Sequence, residues 1–400
     1  MPAQINHLFL NTMNTTLSHG VPEERLNSPT ISMTTRSPTL ISDNSSSCCD
    51  SDIDSIELSI HSPVTPSFDI KDELEYPFDT HLQKKAASIP QPHHTSDFLS
   101  DSEFWEYLID HYPLMLAHNR ERVAKKIYQG IPENYRGRVW QAMSQSKTTY
   151  LDTLYSQLLT ESSPFEADIL LDLPRTFPRM EMFRKKGGEG QARLFNVLKA
   201  YSVYDPEIGY AQGFGYIVAT LLLHMSESEA FCVFVRLMQS HNLREMFGSD
   251  LHRLECGVYQ FRCLLAGHFP KLVHHLDAHN VRTAMYTTSW FLTLFTNVLP
   301  QSIVLRLLDV MLLEGLTVTV IRMGLALMHQ CLPDLLNATD YGELMKIVTG
   351  TIFEISPSKE EELIQSICLF TDVNEQELRA LRNRHRLLRE VFTRKRNTFD

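Results

Sequence analysis

Long hydrophobic runs are missing from this 400-residue chain. The longest apolar stretch, Tyr216–Leu223, falls far short of the ~20 residues that a membrane-spanning helix needs. The N-terminus lacks a basic start followed by an apolar core, so no secretory signal is expected. Position 2 is not glycine and no prenylation box closes the sequence, so neither lipid anchor is expected. Cysteine is sparse: there are seven, an odd number, and none forms C-x-x-C. Cys232, Cys256, Cys263, Cys331 and Cys368 lie in apolar surroundings and read as reduced core residues. The adjacent Cys48-Cys49 pair sits in a serine-rich tract, where palmitoylation is an alternative to a bland role. Alternating β-type runs are absent, as are a strand–turn–helix phosphate loop and an internal period that would signal a solenoid. The net charge of −11 argues against nucleic acid as the main partner. Together these absences predict a soluble intracellular protein.

What is present divides into three stretches. Residues 1–97 are rich in Ser, Thr, Pro, Asn and Asp and too thin in branched and aromatic residues to offset the entropy of ordering. They read as a disordered acidic tail. Ser28-Pro29, Ser37-Pro38, Ser62-Pro63 and Thr65-Pro66 suit proline-directed kinases, although such dipeptides accompany any Ser/Pro-rich tail. Asp69–Tyr76 is a candidate partner-binding segment. Residues 98–345 carry helical periodicity, and the 43% apolar content is enough for a real core. Ser96-Asp97 can cap a first helix, and a second is expected from Pro113 to Tyr128, ending at Gly130. Pro132 opens another that carries Arg136 and Trp140 on one face. Phe183–Gln191, with Lys185-Lys186-Gly187-Gly188, reads as a mobile loop. The helix beginning near Gly213 is apolar all round and should be buried at the centre. Residues 346–400 read as C-terminal helices packed on this domain and ending in a basic one. The fold class expected is all-α, with roughly fifteen helices.

Two polar residues stand out. Arg175 closes an apolar run beside Pro174, and Gln212 lies between Tyr210 and two glycines. Taken alone, Asp172-x-x-Arg175 is an i,i+3 helix ion pair, and a glutamine at a glycine-rich helix start is a cap.

Five segments in a fixed order change that. RGRVW at 136–140, ILLDLPRTFP at 169–178, LFNVLKAYSVYDPEIGYAQG at 194–213, TSWFLTLFTNVLP at 288–300 and RLLDVMLLEG at 306–315 resemble the TBC-domain family of Rab GTPase-activating proteins. The resemblance spans about residues 130–340. It implies an all-helical domain, in agreement with the periodicity. It also implies that Arg175, in an I-x-x-D-x-x-R motif with Ile169 and Asp172, is the catalytic arginine. Gln212, in a Y-x-Q motif with Tyr210 and followed by Gly213, is implied to be the catalytic glutamine. The chain departs from the family at Ala211, where Cys is common, at Phe214-Gly215, where Met-Asn is common, and at Leu308, where Trp is usual.

Phosphoryl transfer from GTP to water needs charge stabilised on the γ-phosphoryl oxygens and a water held in line. A guanidinium suits the first task and a carboxamide, donor and acceptor at once, the second. The implied activity is acceleration of GTP hydrolysis by a GTP-bound Rab-type GTPase in trans, regulating vesicle traffic from the cytoplasm or the surface of endomembranes. No self-contained reaction and no bound cofactor are expected, since GTP and Mg²⁺ belong to the partner.

The rival reading is a catalytically silent Rab-binding scaffold. Further behind is a metal-dependent hydrolase built on His275 and His279, four apart in HHLDAH, but the sequence lacks the glutamate of H-E-x-x-H. Arg136 and Trp140 read as structural, a stem packed on a ring. Arg306 and Asp309 read as an ion pair, buried or partner-facing. The basic end, Arg379–Arg396, reads as a solvated helix, with acidic membrane lipid as the alternative partner.

Overall fold

The computed structural model describes residues 100–240, 243–248, 251–350 and 357–396. Expectations for the tail at 1–97, for Cys48-Cys49 and for the Ser96-Asp97 cap fall outside the described residues. Among the described residues there are eighteen α-helices, three short 3₁₀ turns and no strand.

Local chemistry accounts for the helix ends. The first described helix, Asp101–His118, begins with a capping box: the Glu103 side chain accepts from the Ser100 backbone N–H at 2.8 Å, and the Ser100 hydroxyl accepts in return. It kinks at His111 (φ −130°), just before Pro113, which has no N–H to give. The second helix expected from Pro113 is therefore the far side of this kink, and the true break comes at Asn119. Arg120–Gln129 then stops at Gly130, as expected, with φ +108°.

At the centre lies Phe214–Leu222, in which every residue but Tyr216 is buried. It packs against Glu189–Tyr204 and Glu227–Ser240, and the latter also contacts Glu133–Ser144 and Thr149–Leu158. Further along, Gln301–Glu314 pairs with Leu316–Gln330, and the terminal helix Glu375–Arg396 lies on His252–His268. There the Gln260 side-chain amide donates to the Leu378 carbonyl at 2.6 Å.

One buried polar cluster joins the early helices to the later ones. Asp309 is completely buried; its Oδ1 accepts from Trp140 Nε1 at 2.7 Å and from Arg136 Nε at 3.4 Å. Arg136 Nη2 also donates to the Ile131 carbonyl at 2.7 Å. Burial pushes the Asp309 carboxyl up to about 6, against the pull of the Arg136 guanidinium. The expected pairing of Arg306 with Asp309 is thus corrected. Asp309 points inward to Arg136, whereas Arg306 lies over Gly130, donating to the Tyr128 carbonyl and to Glu361 at 2.9 Å.

Two other expectations change. The loop expected over Phe183–Gln191 is largely helical: Glu181–Arg184 forms one turn, and Glu189 already starts the next helix. The buried Gln191 side chain fastens it, donating to the Phe183 carbonyl at 2.8 Å and accepting from the Gly187 N–H at 3.0 Å. Among the cysteines expected in the core, Cys232 and Cys256 are buried and Cys263 and Cys331 partly so, but Cys368 is exposed. It sits in the 3₁₀ turn Ile367–Leu369, which turns only Ile367 inward.

Removing Asp309 strands a buried guanidinium and the Trp140 N–H. Asp309→Ala should destabilise the fold by about 3–5 kcal/mol. The half-solvated Glu361 partner makes Arg306→Ala cost much less. Urea denaturation of the two variants checks the order.

Candidate functional site

Helix Glu166–Asp172 ends where Pro174 removes a backbone donor, and the chain tightens into the 3₁₀ turn Leu173–Arg175. Thr176 closes the turn, its N–H and hydroxyl both reaching the Asp172 carbonyl, at 3.1 and 3.0 Å. Phe177 follows in a left-handed conformation (φ +48°), which costs a non-glycine residue about 1–2 kcal/mol. Its ring sets edge-on against Tyr216, 5.3 Å between centroids, and so holds that conformation.

Arg175 emerges from this turn with its side chain 46% exposed. Its Nε donates to Asp172 Oδ1 at 2.8 Å, and its Nη2 donates to the same oxygen. The other carboxylate oxygen, Oδ2, accepts from the Tyr210 hydroxyl at 2.7 Å. Asp172 is buried, and Ile169 behind it is fully so. Burial and the adjacent Asp172 carboxylate raise the Tyr210 phenol well above its ordinary value, so it stays a neutral donor.

Tyr210 belongs to the second segment, which is pinned separately. Asp205 ends helix Glu189–Tyr204 and accepts from the Tyr201 hydroxyl at 3.0 Å. Arg244 grips both its oxygens, at 2.6 and 2.9 Å, and also Glu207 at 2.6 Å. Burial pushes the Asp205 carboxyl up, but Arg244 and Tyr201 outweigh it and hold it below the ordinary carboxylate value. Gly209 (φ +61°) turns the chain against the Phe165 ring, where any Cβ would come within 2.1 Å. Gly213 (φ +116°) turns it again, with the Leu292 carbonyl 2.9 Å from where a Cβ would stand. Between them Gln212 is exposed at the turn before helix Phe214–Leu222.

The two segments meet at three places. Asp172 bridges Arg175 and Tyr210, the Tyr216 hydroxyl reaches the Arg175 carbonyl at 3.5 Å, and Gly215 lies against Thr176. Ile169, Asp172, Arg175, Tyr210 and the turn carrying Gln212 and Gly213 therefore share one region. Arg136, Trp140 and Asp309 form the separate buried cluster, and Arg306 lies elsewhere, against Tyr128 and Glu361.

The rival histidines have other engagements. His275 Nε2 lies 3.0 Å from the Ala338 carbonyl, and His279 Nδ1 lies 2.8 Å from the His275 carbonyl. Among the described residues no group of three His, Cys, Asp or Glu could hold a metal ion.

Sequence reading missed Arg244, Thr176, Phe177 and Tyr216, whose parts depend on contacts far along the chain or on backbone strain. It also missed Leu170 and Leu171, which are 54% and 74% exposed beside the arginine turn. Helical spacing held the signal for these two. With Ile169, Asp172 and Leu173 turned inward, their neighbours 170 and 171 must face out.

Gly213→Ala meets both strain and a backbone oxygen, whereas at Gly315 (φ +100°) an added Cβ meets nothing within 4 Å. Gly315→Ala, strained by its positive φ alone, should cost more than about 1 kcal/mol, and Gly213→Ala distinctly more. Paired denaturation curves check this.

The family profile for the Rab-GTPase-TBC domain matches residues 133–336, just over half of the chain. The human ecotropic viral integration site 5 protein homolog is 39% identical over 240 residues, covering 60% of this chain and 30% of that protein. The Rab GTPase-activating protein eat-17 of Caenorhabditis elegans is 34% identical over 313 residues, covering 78% of this chain and 34% of its own length. The chain thus spans about a third of the length of these relatives. Among solved structures, the Ypt/Rab-GAP domain of Gyp1p superimposes with a TM-score of 0.56 at 16% identity, over 67% of this chain and 99% of that one. The Chlamydomonas flagellar RabGAP TBC domain gives 0.54 at 24% identity, over 66% and 90%. At these identities the two structures establish a shared fold.

Proposed function

Because the chain belongs to the Rab-GTPase-TBC domain family, we propose that it accelerates GTP hydrolysis by a GTP-bound Rab-type GTPase, with Arg175 and Gln212 supplied in trans. The observation that carries this is the Asp172 carboxylate, which holds Arg175 with one oxygen and Tyr210 with the other while leaving the arginine half-exposed. A guanidinium has five N–H donors. Two are engaged with Asp172, so three stay available for the partner's γ-phosphoryl oxygens. The arginine is thereby aimed before docking, which reduces the entropy lost on reaching the transition state.

Gln212, two residues beyond Tyr210, orients the attacking water in this scheme, accepting from it while donating to a phosphate oxygen. An arginine inserted in trans can raise the rate about 10³–10⁵-fold, equivalent to roughly 4–7 kcal/mol of barrier. Nucleotide and Mg²⁺ come with the partner, so this chain contributes no cofactor of its own. The process served is vesicle traffic, with the protein acting in the cytoplasm or at the surface of endomembranes. Among the described residues no helix is long and apolar enough to cross a membrane.

Single-turnover GTP hydrolysis across a panel of Rab GTPases tests this. At least one Rab should respond, and Arg175→Ala and Gln212→Ala should each lower the accelerated rate by about 10²-fold or more without loss of helicity. Binding without acceleration would instead favour a silent scaffold.

Leu170 and Leu171 border the arginine turn and would meet the docked GTPase. Leu171→Arg should raise the KM for the responding Rab by about tenfold and leave kcat close to the parent value, as a titration of Rab concentration would reveal.

A further inference from the structure

The terminal helix Glu375–Arg396 is docked along only one side. Leu378 and Leu381 are buried, Gln260 holds the Leu378 carbonyl, and Arg389 pairs with Glu255 at 3.5 Å. Next to that docked side, Leu387, Leu388 and Val391 stand 58%, 39% and 51% exposed. At 3.6 residues per turn these three fall within an arc of about 100°, and they cluster as exposed aliphatic side chains on this helix. Arg384, exposed, lies one turn before the strip and within its arc, and Arg386, also exposed, lies about 100° around the helix from Leu387, beyond Glu390. From Arg379 onward the sequence has eight Lys/Arg against two acids, in a chain whose net charge is −11.

Charge decides what covers such a strip. A second copy laid along it would bring two strongly cationic helices together, which like-charge repulsion opposes. An anionic bilayer satisfies both features at once: the aliphatic side chains enter the headgroup boundary while the arginines meet acidic headgroups. We propose that the 384–391 part of this helix is a peripheral docking face for anionic lipid bilayers, lying in the plane of the interface with Leu387, Leu388 and Val391 toward the acyl chains. This is independent of the GTPase-activating function, because it uses no residue of the arginine–glutamine site.

Vesicle flotation of the full chain tests it, with phosphatidylcholine vesicles compared against phosphatidylcholine containing phosphatidylserine. The parent protein should float with the anionic vesicles and stay behind with the neutral ones, and added salt should weaken the binding. The double variant Leu387→Ser/Val391→Ser should lose about tenfold or more of the affinity. Arg384→Glu/Arg386→Glu should lose at least as much. All four side chains are exposed, so both variants should melt at the parent temperature, which keeps a loss of binding from being a loss of fold. Equal binding to the two vesicle types, or undiminished anionic binding by both variants, would overturn the proposal. So would sedimentation showing that the parent self-associates and that Leu387→Ser/Val391→Ser abolishes it, because the strip would then be covered by a second copy.

Discussion

The candidate site depends on one carboxylate. Asp172 is buried at the end of a short helix, and its two oxygens face different segments of chain, one holding Arg175 and the other Tyr210. A buried carboxylate is costly to leave short of partners, so burial itself enforces both contacts. Arg175 is thereby kept from sweeping through solvent, and the Tyr210–Gly213 turn is fastened beside it. The interaction is more than the i,i+3 pair that its spacing suggests, because the tyrosine makes it a tie across thirty-eight residues of sequence.

The surrounding architecture keeps this tie rigid from both sides. On the arginine side, Pro174, the Thr176 bonds and the left-handed Phe177 leave the turn few alternatives. On the glutamine side, Arg244 clamps Asp205, and Gly209 and Gly213 let the backbone pass where a Cβ would collide. Both segments rest on the buried helix Phe214–Leu222, whose first turn touches Thr176 and Arg175 through Gly215 and Tyr216. The Arg136–Trp140–Asp309 cluster works farther out, fixing helix Glu133–Ser144 to helix Gln301–Glu314.

Much of this was legible in the sequence, for physical reasons. Helical periodicity and the absence of alternating runs predicted an all-α domain, and the uniformly apolar stretch after Gly213 predicted its central helix. Ordered motifs singled out Asp172, Arg175, Tyr210 and Gln212, and the fold gathers their segments. What was not legible was pairing at a distance. Arg306 and Asp309 share a helix and opposite charge, yet Asp309 turns to an arginine 173 residues earlier. Gln191 looked like part of a loose loop because the carbonyl that fixes it, that of Phe183, lies across a turn that local pattern does not reveal. Exposure was equally hidden. Cys368 reads as a core residue in its apolar surroundings, yet its 3₁₀ turn faces it outward.

The double-mutant cycle of Asp172→Asn with Tyr210→Phe, read in the single-turnover rate of GTP hydrolysis by the responding Rab in the presence of this chain, tests the central claim most directly. If Asp172 works by holding both segments, each single variant should slow the reaction. The double variant should then be no slower than the slower single one, because the same tie is already cut. Losses that multiply, or single variants that hydrolyse at the parent rate, would contradict it.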